Sequence, residues 1–271
     1  MERKLKKLEE LLNTMEGVLI AYSGGVDSTF LLKVARDVLG DRLLAITARS
    51  CVYPSEETEQ ANALARNLKV RHEIIETHEM ADLKFISNPR ERCYWCKKEL
   101  FTTLVRIAQE NSLKYVLDGT NFDDLDDFRP GMKAAAEFGV RSPLKEAMLT
   151  KDDIRSLSKR MGLPTWDKPS FACLASRFPY GMKITRGNLV KVDKAERFLR
   201  RSGITQARVR HHDNIARIEV AEEDIPKLLE EKLRGQLISY FKKLGYSYVT
   251  VDLEGYRTGS MNEVLTGDDK R

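Results

Sequence analysis

An apolar run of strand length, Gly17-Val-Leu-Ile-Ala-Tyr22, passes directly into Ser23-Gly-Gly-Val-Asp-Ser28-Thr29, and helical periodicity begins at once over 28–38. Two glycines let a backbone close around an anion, the N–H groups of the turn point at it, and the start of the following helix adds partial positive charge. Ser23, Ser28 and Thr29 add hydroxyl donors. The pattern is not the G-x-x-x-x-G-K-[ST] loop, because the spacing differs and no lysine follows. Read structurally, the same residues make a glycine turn with Ser28 as a helix cap. Strand-like and helix-like segments go on alternating: 43–48 with 56–68, 73–75 with 97–109, 115–117 with 151–161. This order predicts an α/β fold, a parallel sheet with helices on both faces and ligands at the carboxyl ends of its strands.

The pattern changes over 164–179, which holds three prolines. Beyond it Asn188 is a candidate cap for a helix whose apolar positions Leu189, Val192, Ala195 and Leu199 share a face and which stops at Gly203. Strand-like 206–210 and 215–220, a helical stretch over 222–244 interrupted at Gly235, and a last strand over 246–253 complete an αββαβ unit. The expected organisation is a nucleotide domain over 1–167, a connecting segment over 168–187 and a smaller C-terminal α/β domain over 188–271. No apolar run reaches the ~20 residues that span a bilayer. The N-terminus reads as an amphipathic helix rather than a secretory signal. With 42% hydrophobic and 32% charged residues, a soluble, cytoplasmic globular protein is expected.

In a reducing compartment four cysteines suggest ligands or reactive thiols rather than disulfides. Cys93-Tyr-Trp-Cys96 lies just before an apparent helix, and Cys173 lies in Lys168-Pro-Ser-Phe-Ala-Cys-Leu-Ala-Ser176-Arg177. Zinc, a dithiol redox pair, a [4Fe–4S] cluster held by three thiolates and unrelated buried cysteines all remain open on these residues alone. Cys51 reads as a small, partly buried residue. Asp123, Asp124, Asp126 and Asp127 read first as a solvated turn and second as a metal site.

The first loop resembles the Ser-Gly-Gly-x-Asp-Ser pyrophosphate loop of the PP-loop ATPases, which cleave ATP between its α and β phosphates. The resemblance gives Ser23, Gly24, Gly25, Ser28 and Thr29 to the nucleotide, sets Asp27 beside Mg²⁺ and pyrophosphate, and makes Asp118-Gly119-Thr120-Asn121 a nucleotide wall. Arg141-Ser-Pro-Leu144 and Lys151-Asp-Asp-Ile-Arg155 resemble the segment that closes that site. The Cys173-to-Arg177 block, the strand Gln206-Ala-Arg208-Val-Arg210 and the ending from Tyr248 through Asp252, Glu254, Tyr256 and Ser260 to Asn262 are similar to one family within this group, the LarE sulfur transferases. That resemblance implies adenylation of the carboxylates of a pyridinium-3,5-biscarboxylic acid mononucleotide and replacement of oxygen by sulfur, toward the nickel-pincer cofactor of lactate racemase.

The same resemblance makes Cys173 the sulfur-bearing residue, either giving up its own sulfur or, with Cys93 and Cys96 as in the three-cysteine branch, holding a [4Fe–4S] cluster. It places Arg208, Arg210 and Ser176 at the phosphate or substrate, and matches Glu196 to a metal-binding position, against which stands a plain surface helix acid. Alternate strand positions put Arg208 and Arg210 on one face in any case. Trp95 reads as a ring stacked on adenine or pyridine, or as a hydrophobic shield for the cluster. Ten Lys/Arg against three acids over 183–217 exceed the net +5 of the whole chain. A nucleic-acid footprint and tRNA 2-thiolation are therefore the alternative, weakened because no paired zinc ribbon appears. An amidating ATPase shares the loop but would leave the cysteines unexplained, and a non-catalytic nucleotide sensor could use the same loop. The expected partners are the small mononucleotide, a sulfide donor and further copies of the chain.

Overall fold

The structure, a computed structural model, describes residues 1–126, 130–169, 172–257 and 259–263. Asp127, Ser170, Phe171 and Thr258, each part of a motif above, lie outside the described residues. The chain divides into two compact units, one of Met1–Phe85 with Glu91–Phe171 and one of Ile86–Arg90 with Ala172–Arg271.

The first unit runs α1 (Glu2–Asn13), β1 (Val18–Ala21), α2 (Val26–Leu39), β2 (Leu43–Arg49), α3 (Ser55–Asn67), β3 (Arg71–Glu76), α4 (Leu83–Ile86), α5 (Arg92–Glu110), β4 (Tyr115–Leu117), α6 (Pro130–Glu137), α7 (Pro143–Glu146) and α8 (Lys151–Arg160). Its four strands form a parallel sheet in the order β3-β2-β1-β4. The central strand is apolar throughout because both its faces are covered. Val18 and Ile20 pack with Leu8, Phe30 and Ile154 on one side, whereas Leu19 meets Phe101, Leu104 and Ala134 on the other. This is the doubly covered α/β sheet that the alternation predicts, and it brings the ends of β1 and β4 together.

Helix α5 begins at Arg92, not near Lys97. The cysteine pair therefore lies inside a helix rather than before one, and its spacing sets both residues on a common face.

Helix α8 is fixed at its start by a reciprocal capping box. The Thr150 side chain accepts from the Asp153 N–H, and Asp153 accepts from the Thr150 N–H. Lys4 of α1 adds an ion pair to the same carboxylate at 2.6 Å. Partial burial opposes the Asp153 charge, but Lys4 and the Thr150 donors outweigh it and hold the pKa down to about 2. A depressed native pKa means stability that is complete above the ordinary carboxylate value and lost as pH falls from about 4 to about 2. Asp153→Asn is expected to cost about 2 kcal/mol at neutral pH, the wild-type and variant urea midpoints converging as pH falls through that window.

The second unit runs α9 (Arg186–Arg201), β5 (Ala207–His212), β6 (Ile215–Val220), α10 (Ile225–Leu229), α11 (Glu231–Lys243) and β7 (Tyr248–Val251). Its three-stranded sheet has the order β5-β6-β7, with β5 antiparallel and β7 parallel to β6. Leu189, Val192, Ala195 and Leu199 are buried on one face of α9, as their spacing predicts. The cap is Thr185, whose side chain accepts from the Asn188 N–H. Asn188 thus donates to the cap and is not the cap itself. The helical stretch over 222–244 breaks at Glu230, which is extended at φ −55° and ψ 130°, while Gly235 stays inside α11. A segment from earlier in the chain completes the unit: the buried Asn88 side chain donates to the carbonyls of Phe178 and Pro179, and the Ile184 N–H donates to Ile86.

Candidate active site

The loop between β1 and α2 is shaped by two close approaches. Gly24 has φ +71°, and a Cβ there would stand 2.9 Å from the Ala61 Cβ of α3. Gly119, just beyond β4, lies so close to the start of α2 that a Cβ would stand 3.1 Å from the Ser28 nitrogen. A Cβ at Gly24 would clash, and one at Gly119 would push the start of α2 aside. Within the loop Ser23 Oγ lies 3.0 Å from Ser28 Oγ and accepts from the Gly25 N–H, and the Ser28 hydroxyl donates to the Gly25 carbonyl. The loop's own hydroxyls meet donors of the kind an anion would use. Thr29 differs from the two serines: it is fully buried, and its hydroxyl faces Tyr22 at 3.5 Å.

Asp27, in the first turn of α2, pairs through Oδ2 with the Lys151 ammonium at the start of α8. Its Oδ1 is buried with no hydrogen-bond partner among the described residues. A buried carboxylate oxygen with open lone pairs fits a hard cation such as Mg²⁺, and Asp27 is the residue that would hold one. Asp118 accepts from the Thr120 N–H and hydroxyl and from the Ser142 hydroxyl, which fixes the turn carrying Gly119. In the acidic loop Asp123 accepts from the Lys151 N–H and Asp124 from the Asn121 N–H. Those two acids serve as local caps.

Cys93 is exposed and Cys96 half-buried on one face of α5. Cys96 Sγ lies 3.7 Å from the Tyr53 hydroxyl. Trp95 packs edge-on against Tyr94 with centroids 5.0 Å apart, and the Lys84 ammonium lies 4.2 Å from the Trp95 centroid. Cys51 is half-buried in the turn after β2. Among the described residues no group of three His, Cys, Asp or Glu side chains comes together to hold a metal ion. The helix presents a two-thiol edge, and Cys173 belongs to the second unit.

In that unit Cys173 caps the short 3-10 turn Leu174–Arg177. Its carbonyl accepts from the Ser176 N–H and hydroxyl and from Arg177 Nη1. The thiol-bearing residue is thus pinned through its backbone. Arg177, fully buried, makes a two-point ion pair with Glu196 at 2.8 and 3.0 Å. Glu196 also accepts from the Val209 N–H at 3.1 Å.

The surface reading of Glu196 is therefore wrong: α9 turns it inward at 1% exposure. As a metal ligand it would first have to give up Arg177, since both its oxygens are engaged. Burial opposes its charge, but Arg177 outweighs burial and keeps the carboxyl below its usual range.

Arg208 and Arg210 share a face of β5 and are both buried. They do not form a symmetrical grip. Arg210 donates to both Glu219 oxygens, to the Ser176 carbonyl and to Ser260 Oγ, so it braces three segments. Arg208 donates to the Ala207 carbonyl, and its guanidinium lies 5.1 Å from the Tyr256 centroid. Burial and the like charges of Arg177 and Arg210 push its pKa down. Among the described residues of this unit, three buried guanidiniums, Arg177, Arg208 and Arg210, stand with three buried carboxylates, Asp193, Glu196 and Glu219. Because Arg208 and Arg210 are internal, the basic excess over 183–217 is not wholly an outward-facing stripe.

Sequence reasoning misses Arg177, Glu219 and the Asp27–Lys151 pair. Arg177 is legible only as part of the cysteine block, Glu219 meets Arg210 only once β5 and β6 pair, and Asp27 meets Lys151 from 124 residues away.

The family model described as NAD synthase matches residues 2–92. The chain is 40% identical to the pyridinium-3,5-bisthiocarboxylic acid mononucleotide synthase of Lactiplantibacillus plantarum, over 97% of this chain and 95% of that one. The chain belongs to the LarE family. Within it, the chain is also 48% identical to an uncharacterised Synechocystis protein, over 98% of this chain and 99% of that one. Similarity to one of the subunits of the glutamine-hydrolysing GMP synthase of Archaeoglobus fulgidus is narrower, at 26% over 60% of this chain and 56% of the relative.

Two measurements probe this geometry. Gly119→Ala is expected to weaken MgATP binding about tenfold or more, measured by equilibrium dialysis, because the methyl displaces the start of α2 while the core is untouched. Glu196→Gln leaves Arg177 buried beside a neutral amide and is expected to lower unfolding free energy by about 3–5 kcal/mol in a urea titration.

Proposed function

We propose that the chain activates each carboxylate of pyridinium-3,5-biscarboxylic acid mononucleotide with ATP and replaces one oxygen by sulfur. The observation that carries this reading is the near full-length match to the Lactiplantibacillus synthase, which includes the second unit. It is an ATP-dependent sulfurtransferase. The substrate carboxylate attacks the α-phosphorus of ATP, pyrophosphate leaves, and an acyl-adenylate forms. Hydrosulfide then attacks the acyl carbon, AMP leaves with the bonding electrons of the acyl–oxygen bond, and the thioacid loses its proton.

Residues of the first unit serve the first step. The N–H groups of the turn at Gly24 and Gly25, with Ser23 and Ser28, bind the leaving pyrophosphate, and Asp27 would hold Mg²⁺, which would neutralise charge on the phosphates. Gly119 and Thr120 form the nucleotide wall. In the second unit Arg208 supplies charge to the substrate phosphate, while Arg210 and Ser176 fix the Cys173 turn. Trp95 offers a ring face to an aromatic base.

Cys93 and Cys96 fit two ligands of a [4Fe–4S] cluster, and Cys173 would be the third. Such a cluster supplies an iron without a protein ligand, open to a sulfide. A sulfide donor, a homo-oligomer and a cytoplasmic location belong to the same reading. Among the described residues no helix is long and apolar enough to cross a membrane.

Substrate-dependent exchange of labelled pyrophosphate into ATP tests the activation step, and absence of exchange with the pyridinium mononucleotide would defeat it. Anaerobic reconstitution is expected to give iron and acid-labile sulfide near four each per chain, as three-thiolate ligation of a cubane requires (~4). Stoichiometric zinc, or Cys173 converted to dehydroalanine after turnover, would remove the cluster from the reading.

A further inference from the structure

Lys168 is tied to the pyrophosphate loop from a part of the chain that shares no element with it. Its side chain is only 14% exposed. The ammonium donates to the Gly24 carbonyl at 3.3 Å, to Glu57 Oε2 at 2.7 Å and to Gln60 Oε1 at 3.1 Å. The backbone at Lys168 is itself held: Arg155 of α8 donates to the carbonyls of Trp166 and Lys168 at 2.7 and 2.9 Å. The Lys168 N–H donates to the Thr165 carbonyl. The ammonium is thus delivered from a fixed point.

Gly24 is the residue whose orientation matters most in the loop. With φ +71° and no side chain to anchor it, its peptide to Gly25 has few internal restraints. In a trans peptide the carbonyl and the next N–H point opposite ways. Holding the Gly24 carbonyl toward Lys168 therefore turns the Gly25 N–H the other way, toward Ser23 Oγ, where the structure has it at 3.4 Å. That N–H belongs to the set that would meet a phosphate. A rotated peptide would instead present a carbonyl oxygen to the anion and repel it.

We propose that Lys168 is a positioning residue for ATP binding: it fixes the Gly24–Gly25 peptide so that the Gly25 N–H faces the pyrophosphate. Glu57 and Gln60 hold the ammonium in place, and the bond to Gly24 carries the effect. The inference rests on the reading of the loop as a pyrophosphate site. Its selectivity is for the phosphate chain, so inorganic pyrophosphate should report it as well as MgATP does.

The test measures dissociation constants for both ligands on the full chain by equilibrium dialysis, with circular dichroism as the folding control. Lys168→Met keeps the stem and removes the donor. It is expected to weaken both ligands about tenfold or more, as loss of a charge-assisted hydrogen bond does, and to raise the KM for ATP more than it lowers kcat. Lys168→Arg restores a donor and should return both constants to within about threefold of wild type, well inside that loss. Glu57→Gln keeps an amide oxygen to accept from the ammonium and leaves the bond to Gly24, so it should stay within the same about threefold range.

Wild-type affinity in Lys168→Met, or an Arg variant as weak as Met, would overturn the proposal. So would an about tenfold loss in Glu57→Gln, which would make the ion pair rather than the Gly24 bond the source of the effect. If Lys168→Met does not fold, the Arg and Gln variants decide by the same limits. Wild-type protein that binds neither ligand would defeat the pyrophosphate-loop reading itself, a separate result from any difference among variants.

Discussion

Gly24 against Ala61 and Gly119 against Ser28 are the contacts on which the nucleotide end of the first unit depends. The first is closer than a Cβ permits, and the second is tight enough that a Cβ would push its neighbour aside. The first draws the loop onto α3, and the second draws the exit of β4 onto the first turn of α2. Together they put N–H groups, the α2 N-terminus and the Asp118-Gly119-Thr120 turn at one end of the sheet. Neither contact has strength of its own. They are possible because the apolar residues of β1, β2 and α2 hold the strands and helix in place.

The second unit solves a different problem, which is to keep charge buried. Arg177 with Glu196 and Arg210 with Glu219 place full charges away from water, and each is matched in geometry as well as in sign. The costs of burial and the ion-pair gains largely cancel, so the pairs specify shape more than they add stability. What they specify is the backbone of the Cys173 turn, held by Arg177 through its carbonyls and by Arg210 through Ser176. Arg208 is buried beside them, with its guanidinium near the Tyr256 ring. The unit thus combines a fixed thiol-bearing turn with a set of buried ion pairs.

Local patterns carry much of this into the sequence. The glycine loop, the alternation of strands and helices and the apolar face of α9 are short-range signals, because turn conformation and helical period act over a few residues. The start of α5 escapes them. Its first turn holds Arg92, Cys93 and Trp95, none of which marks a helix by apolar spacing, and it is packing further along at Phe101 and Leu104 that fixes the helix. In the 222–244 stretch residue type points to glycine as the interruption, yet α11 accommodates Gly235 and the chain turns at Glu230 instead. A single glycine costs a helix only about 1 kcal/mol, and tertiary packing outweighs that.

By itself the sequence determined the class of sheet, the position of the glycine loop at the end of its first strand and the family to which the chain belongs. Those follow from residue type and spacing along a few turns of chain. Tertiary structure alone decided which charges are spoken for. Glu196 looks like any acid on a basic helix until α9 packs it against Arg177, and Arg208 and Arg210 look equivalent until Glu219 and Ser260 engage one of them. Lys168 is an ordinary lysine until the fold sets it on the Gly24 carbonyl, 144 residues away in the chain. Charge partners are chosen by proximity in space, and proximity between residues so far apart exists only once the core has closed.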